Sequence, residues 1–201
     1  MPTAVFGPIS ANRHSWQATL TSPDEIKQAN TLEEVISVLE FAEKSAQSGS
    51  YVALLLSYEA APAFDSALVA HPRSSFPLAW AASFSEQATL PLPIGCYEVG
   101  EWSPRINQDQ YSAAVHRIHE LIAAGDTYQV NYTFPLTTDF EGDALSWYHE
   151  LCRRQTARYS AYLDLGRYKV LSLSPELFFE RHGDHVRAQL RDCGACRRRP
   201  C

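Results

Sequence analysis

Ala124-Gly-Asp-Thr-Tyr-Gln-Val-Asn-Tyr-Thr-Phe-Pro-Leu136 joins two kinds of sequence, and the architecture follows from how it is divided. Upstream, apolar residues recur with helical spacing until Gly125, a residue suited to the left-handed stop of a helix. Downstream, residues 128–136 are rich in Tyr, Val, Thr and Phe and alternate in character, so a strand is expected. The helix opens at Asn107, whose side chain can accept from an amide of the first turn, and Gln110 stands where it can return the bond. Its apolar face comprises Tyr111, Ala114, Val115, Ile118, Leu121 and Ile122. Gln129 and Asn131 fall two apart on the strand and share one face; buried amides in that setting mostly serve sheet hydrogen bonding.

The same grammar repeats on either side. Thr31-Leu-Glu-Glu34 has the spacing of a capping box, and a helix is expected from there to about Ser48, with Leu32, Val35, Ile36, Leu39, Ala42 and Ala46 inward and Gly49 as its stop. Residues 51–58 are too short and too uniformly apolar for a surface helix and predict a strand buried on both faces. Further strands are expected over 78–84 and 94–102, with Ser103-Pro104 ending the latter. A third helix is expected over 143–155, and a hairpin over 159–165 and 168–173 turning at Gly166-Arg167. These elements predict an α+β fold of mixed antiparallel β-sheets with flanking helices.

Bulk properties narrow the function. A net charge of -6 and a pI near 5.6 lack the basic footprint of a nucleic-acid or membrane-surface binder. The strongest apolar run, around Val52 to Leu56, is far below the roughly 20 residues of a membrane span. The first residues lack the basic and apolar regions of a secretory signal, so a cytoplasmic protein is expected. Cys96 and Cys152 sit in apolar or helical surroundings and are expected to be buried, reduced thiols.

Glycine-rich phosphate loops, H-E-x-x-H and G-x-S-x-G are absent from the sequence. His116 and His119, three apart on the second helix, are ordinary surface histidines by position. Glu176 is more pointed. It lies in Leu171-Ser-Leu-Ser-Pro-Glu-Leu-Phe-Phe-Glu180, between Pro175 and three apolar residues, and is either a surface-turn acid or a partly desolvated one with a raised pKa.

At Ala124 to Asn131 and at Ser174 to Phe178 the sequence resembles component I of aminodeoxychorismate synthase and, more broadly, the anthranilate and isochorismate synthase superfamily, which carries an A-G-D-x-Y-Q-V-N turn and an S-P-E-x-F element. Tyr159-Ser-Ala-Tyr162 with Leu171-Ser-Leu-Ser-Pro-Glu176 favours the aminodeoxychorismate branch over an anthranilate synthase-like enzyme. Leu56-Ser-Tyr-Glu-Ala-Ala61 with Phe64-Asp65 is similar to the N-terminal part of that branch. The resemblance spans roughly residues 30 to 189. It implies conversion of chorismate to 4-amino-4-deoxychorismate on the route to para-aminobenzoate and folate, with ammonia from a glutamine amidotransferase subunit and with Mg2+. It implies that Glu176 is the catalytic acid and base, that Gln129 and Asn131 shape the floor of the site, and that Tyr159 and Ser160 border a ligand pocket which in the family binds tryptophan. Arg158 replaces the proline usual there.

Under this resemblance residues 1–105 form an N-terminal component I-like domain, 106–189 the first part of a chorismate-binding domain, and 190–201 an aberrant tail. The branch places a nucleophilic lysine where Asp192 stands here, and its Mg2+ ligands lie in later sequence. Four of the 17 basic residues and Cys193, Cys196 and Cys201 crowd into the tail. Cys193-Gly-Ala-Cys196 matches half of a zinc knuckle, short of the four ligands that structural zinc takes. A reading-frame shift near Gln189 is expected to account for both the basic residues and the cysteines. The chain as it stands is expected to be inactive alone, the competing view being a non-catalytic fragment or a module that binds an amidotransferase.

Overall fold

The computed structural model describes residues 3–7, 17–71, 75–89, 95–155 and 159–189. They group into two compact units, Met1–Pro93 with Ala144–Cys201, and Ile94–Asp143. The first is discontinuous because residues 161–163 pair with residues 4–6.

In the first unit, helix α1 (Leu32–Gln47) lies on an antiparallel sheet of β3 (Glu25–Ala29), β5 (Ala79–Phe84) and β4 (Tyr51–Leu56), in that order. A second antiparallel sheet runs β11 (Lys169–Ser174), β10 (Tyr159–Asp164), β1 (Thr3–Phe6), β2 (Ala18–Thr21). Side chains alternate across strands, and the cores obey that rule. Ala79 and Ala81 of β5 join Ala29, Val35, Val38 and Ala42 beneath α1. Trp80, Ala82 and Phe84 point the other way, onto Ala4, Leu20 and Leu163 of the second sheet. Val5 and Tyr162 leave that sheet on its far side and meet Ala144 and Tyr148 of α3 (Ala144–Arg154). The unit is therefore layered helix, sheet, sheet, helix, with β5 buried at every position.

Helix ends behave as the sequence indicates. The Glu34 carboxylate accepts the amide N–H groups of Asn30 (2.8 Å) and Thr31 (3.0 Å). At the other end Gly49 N–H donates to the Ala46 carbonyl and Ser50 N–H to that of Ser45, a Schellman closure. The buried stripe is Val35, Val38 and Ala42, rotated from the expected one; Ile36 is exposed and Ala46 lies outside the core.

Strand β4 departs from expectation more sharply. Residues 51–58 were expected to be buried on both faces, yet Tyr51, Leu54 and Leu56 are exposed. The reason is position: β4 is an edge strand, and β5 takes the doubly covered central place that its small residues fit. The expected strand over 94–102 reduces to β6 (Tyr97–Val99), and Cys96 is exposed rather than buried, while Cys152 is half-buried.

In the second unit α2 (Gln108–Ala124) carries the predicted reciprocal cap, with the Asn107 Oδ1 accepting from Gln110 N–H and the Gln110 Oε1 from Asn107 N–H, both at 2.9 Å. Gly125 adopts φ +82°, and its N–H and that of Asp126 close the helix on Ile122 and Leu121. Strand β6 pairs with β9 (Phe140–Gly142), and the two-residue β7 (Ser103–Pro104) with β8 (Leu136–Thr137). None of its described residues is buried. The hairpin β12 (Leu177–His182) and β13 (His185–Gln189) completes the described chain.

Two outcomes follow. Trp80→Ala should cost about 3–5 kcal/mol in chemical denaturation, the range for emptying a packed aromatic site, whereas Ile36→Ala should change stability by less than about 1 kcal/mol. Glu34 is held below the usual carboxylate range by the Asn30 and then the Thr31 amide. A depressed folded-state pKa adds stability above the unfolded value that is lost as pH falls through the folded one. The deficit of Glu34→Gln relative to wild type should thus be present at neutral pH and close on acidification; a deficit constant with pH contradicts the cap.

Candidate functional site

Strand register assembles part of the predicted site. In the β10–β11 hairpin Tyr159 lies opposite Ser174 and Ser160 opposite Leu173. The hairpin turns at Gly166, with φ +85°, as its sequence predicts. Beyond Ser174 the chain breaks at Pro175, whose ring removes a ladder donor. The Ser174 hydroxyl donates to the Glu176 carbonyl (3.0 Å) and accepts from the Glu176 N–H (3.1 Å), which fixes a tight local turn. Tyr159, Ser160 and Glu176, separated by up to seventeen positions in the chain, are thereby gathered at one end of one hairpin.

Burial at that end is uneven. Glu176 is exposed, and Phe178 after it is 87% exposed, so the described residues give Glu176 the surface-turn setting and not the desolvated one. Ser160 is buried at 3% and, with Tyr162 two positions on, faces α3. Tyr148 of α3 is fully buried, its ring 5.7 Å from that of Tyr162. Burial drives the Tyr148 phenol well above its ordinary range; the Ser160 hydroxyl beside it offsets this only in part, and Cys152 adds to it. Neither the Tyr148 nor the Ser160 hydroxyl makes a hydrogen bond of ordinary geometry among the described residues. Ser160 thus lies beneath the hairpin, while Tyr159 is half-buried at its edge. Sequence analysis did not single out Tyr148. Its spacing with Ala144 and Cys152, four residues either way, is the signal that could have found it.

Gln129 and Asn131 belong to the second unit. The strand expected over 128–136 is absent except for β8, because no described strand pairs with residues 128–135. The segment is nonetheless extended enough to keep the alternation. Gln129 Nε2 donates to Asn131 Oδ1 at 3.4 Å on one side, and Tyr132 and Phe134 pack on Tyr111 of α2 from the other, each ring centroid 5.9 Å away. Both amides are exposed. A cleft of about 320 Å³ in this unit is lined by Glu98, Gly100, Asp139, Phe140 and Glu141 and contains none of the predicted residues. No group of three or more His, Cys, Asp or Glu that could hold a metal ion occurs among the described residues. His116 instead lies against Glu120 at 3.4 Å on the helix surface. The expected aberrant tail and Arg158 lie outside the described residues.

An antiparallel α+β chain with an S-P-E turn at a hairpin end and an A-G-D-x-Y-Q-V-N helix stop has recognisable kin. The chorismate binding enzyme family matches residues 81–190, and the chain belongs to that family. The match opens inside β5. The chain is 32% identical over 108 residues to aminodeoxychorismate synthase component 1 of Klebsiella aerogenes, covering 53% of this chain and 23% of that protein. It is 32% identical over 159 residues to aminodeoxychorismate synthase of Streptomyces griseus, covering 73% and 21%. Anthranilate synthase component 1 of Neisseria meningitidis is 27% identical over 101 residues, covering 50% and 20%. The chain spans a fifth to a quarter of the length of these relatives. No described helix is long and apolar enough to cross a membrane.

Removing the unbonded phenol oxygen relieves a desolvated group without opening a cavity. Tyr148→Phe should therefore leave thermal stability within about 1 kcal/mol of wild type, whereas Tyr148→Ala should cost about 3–5 kcal/mol. A large loss in Tyr148→Phe would show that the hydroxyl is bonded in solution.

Proposed function

We propose that this chain supplies part of an enzyme of the aminodeoxychorismate synthase component I type, which exchanges the 4-hydroxyl of chorismate for an amino group derived from glutamine. The observation that carries this reading is the β10–β11 register, which sets Tyr159 beside the Ser174-Pro175-Glu176 turn inside the segment matched by the family. Among the relatives, aminodeoxychorismate synthases share more identity than the anthranilate synthase, and the sequence has Glu176 where the branch has its S-P-E acid.

Glu176 acts as general acid and base. Its carboxyl gives the proton with which the 4-hydroxyl departs as water, and its carboxylate takes a proton back as the incoming nucleophile adds. Tyr159 borders the adjoining pocket. Mg2+, which the family resemblance implies, would supply charge neutralisation at the substrate carboxylate, and no step here is assigned to it. The nitrogen donor is a glutamine amidotransferase subunit, and the setting is cytoplasmic. An exposed Glu176 cannot by itself exclude water or hold chorismate in a reactive geometry, and positioning supplies much of the rate in such chemistry. The chain alone is therefore inactive.

Purified chain given chorismate, glutamine or ammonia, and Mg2+ should form neither 4-amino-4-deoxychorismate nor anthranilate. In a longer assembly that contains residues 1–189, Glu176→Gln should lower kcat by about 10²-fold or more, the usual share of a general acid. Product from the isolated chain that disappears with Glu176→Gln overturns the inactivity, and anthranilate from the assembly overturns the choice of branch.

A further inference from the structure

The hairpin at the end of the described chain is closed by a pair of histidines. His182, the last residue of β12, and His185, the first of β13, stand directly opposite one another across the turn at Gly183-Asp184. Gly183 adopts φ +57°, the left-handed conformation that such a tight turn needs. Directly opposed residues of an antiparallel pair share a face, with Cβ atoms about 4.5–5.5 Å apart, so the two imidazoles lie on one side of the hairpin tip. Both are exposed. Two positions earlier, on the same face, the Glu180 carboxylate accepts from Nε2 of His182 at 2.5 Å. A carboxylate on one ring nitrogen fixes the tautomer and leaves the lone pair on the other, here Nδ1, the arrangement that accompanies histidine bound to a metal.

Two imidazoles are half of a tetrahedral ligand set. The other half stands just downstream in the sequence, where Cys193-Gly-Ala-Cys196 follows the end of β13 and completes the spacing His-x2-His-x7-Cys-x2-Cys. Two closely spaced ligand pairs joined by a short connection are the signature of structural zinc sites. Chain length permits the closure: from His185 to Gln189 β13 spans about 13 Å, and the four residues from Gln189 to Cys193 can reach back over about the same distance. We propose that His182, His185, Cys193 and Cys196 form a structural site for a divalent ion of the zinc class, with Glu180 holding the His182 ring. On binding, each thiol releases its proton to solvent, and the two thiolates offset the two charges of the ion. Cys193 and Cys196 lie outside the described residues, and only their place in the sequence is used. The ion would fasten the end of this chain to a hairpin that begins one residue after Glu176. The site depends neither on how residues 190–201 arose nor on the proposed activity, and its test reads metal binding alone.

The full chain, reduced and freed of metal, is titrated with Co2+ and then with Zn2+. A saturable 1:1 complex by native mass spectrometry is expected, with thiolate-to-cobalt charge transfer and the intense visible bands of tetrahedral Co2+, both lost when Zn2+ displaces it. His182→Ala, His185→Ala and the double variant Cys193→Ser with Cys196→Ser should each lose the tetrahedral spectrum. Glu180→Gln, which keeps all four ligands, should keep that spectrum and weaken Zn2+ binding by about 10–100-fold, the usual effect of removing a carboxylate behind a ligating histidine. His182 and His185 are exposed, so their metal-free variants should keep the thermal transition of the metal-free wild type. Absence of saturable binding, a complex of unchanged affinity and spectrum in the histidine variants, or one ion shared between two chains each overturns the proposal; the second would leave the cysteines alone as the chelator.

Discussion

Burial of β5 on both faces is the constraint from which the first unit is built. A strand covered on only one side can alternate polar and apolar residues, but β5 reads Ala-Trp-Ala-Ala-Ser-Phe because neither side meets water. The small residues at 79 and 81 let α1 approach closely, and Trp80 and Phe84 fill the wider gap between the sheets. Once that gap is filled, β1 and β10 must present Ala4 and Leu163 inward and therefore Val5 and Tyr162 outward. The outer pair needs a cover, which α3 provides through Ala144 and Tyr148. The position of β10, and with it the hairpin that ends in Ser174-Pro175-Glu176, is thus a consequence of packing that begins at β5, across the side-chain layer shared by the two sheets.

The second unit shows what a sequence does when local signals are strong and long-range partners are missing from the described chain. Its helix is capped at both ends and its turn residues are in order, and each such device contributes about 1 kcal/mol. Among the described residues its apolar face is covered only in part, with Tyr132 and Phe134 against Tyr111, and burial is worth roughly 25 cal/mol per Å² of apolar surface removed from water. Local capping cannot offset that loss. The proposed acid, Glu176 of the first unit, is exposed among the described residues, whereas a carboxylic acid that delivers a proton near neutrality benefits from desolvation.

Legibility in the sequence followed the range of the interaction. The caps at Thr31 and Asn107, the glycine stops at 49 and 125 and the turn at Gly166 are decided within a few residues and could be placed from spacing alone. Strands β1 to β3 escaped notice because each is four or five residues long, and β1 and β3 are stabilised by partners far along the chain, β1 by β10 at a separation of more than 150 positions. Residues 51–58 and 128–136 were misjudged for one reason: composition reports a preference for extended backbone but not whether a neighbour exists on each edge. The S-P-E turn and the A-G-D-x-Y-Q-V-N stop were legible as motifs, whereas the register that sets Tyr159 opposite Ser174 was not. Tyr148 was not, since a buried tyrosine on a helix resembles any other core residue until the facing strand is known.

Native-state hydrogen exchange on the isolated 201-residue chain tests the central claim most directly. Amides of β5, β1 and β10 should exchange slowest, at least a hundredfold more slowly than those of α2 and of residues 128–135. Protection of α2 equal to that of β5 in a monomeric chain would contradict the account.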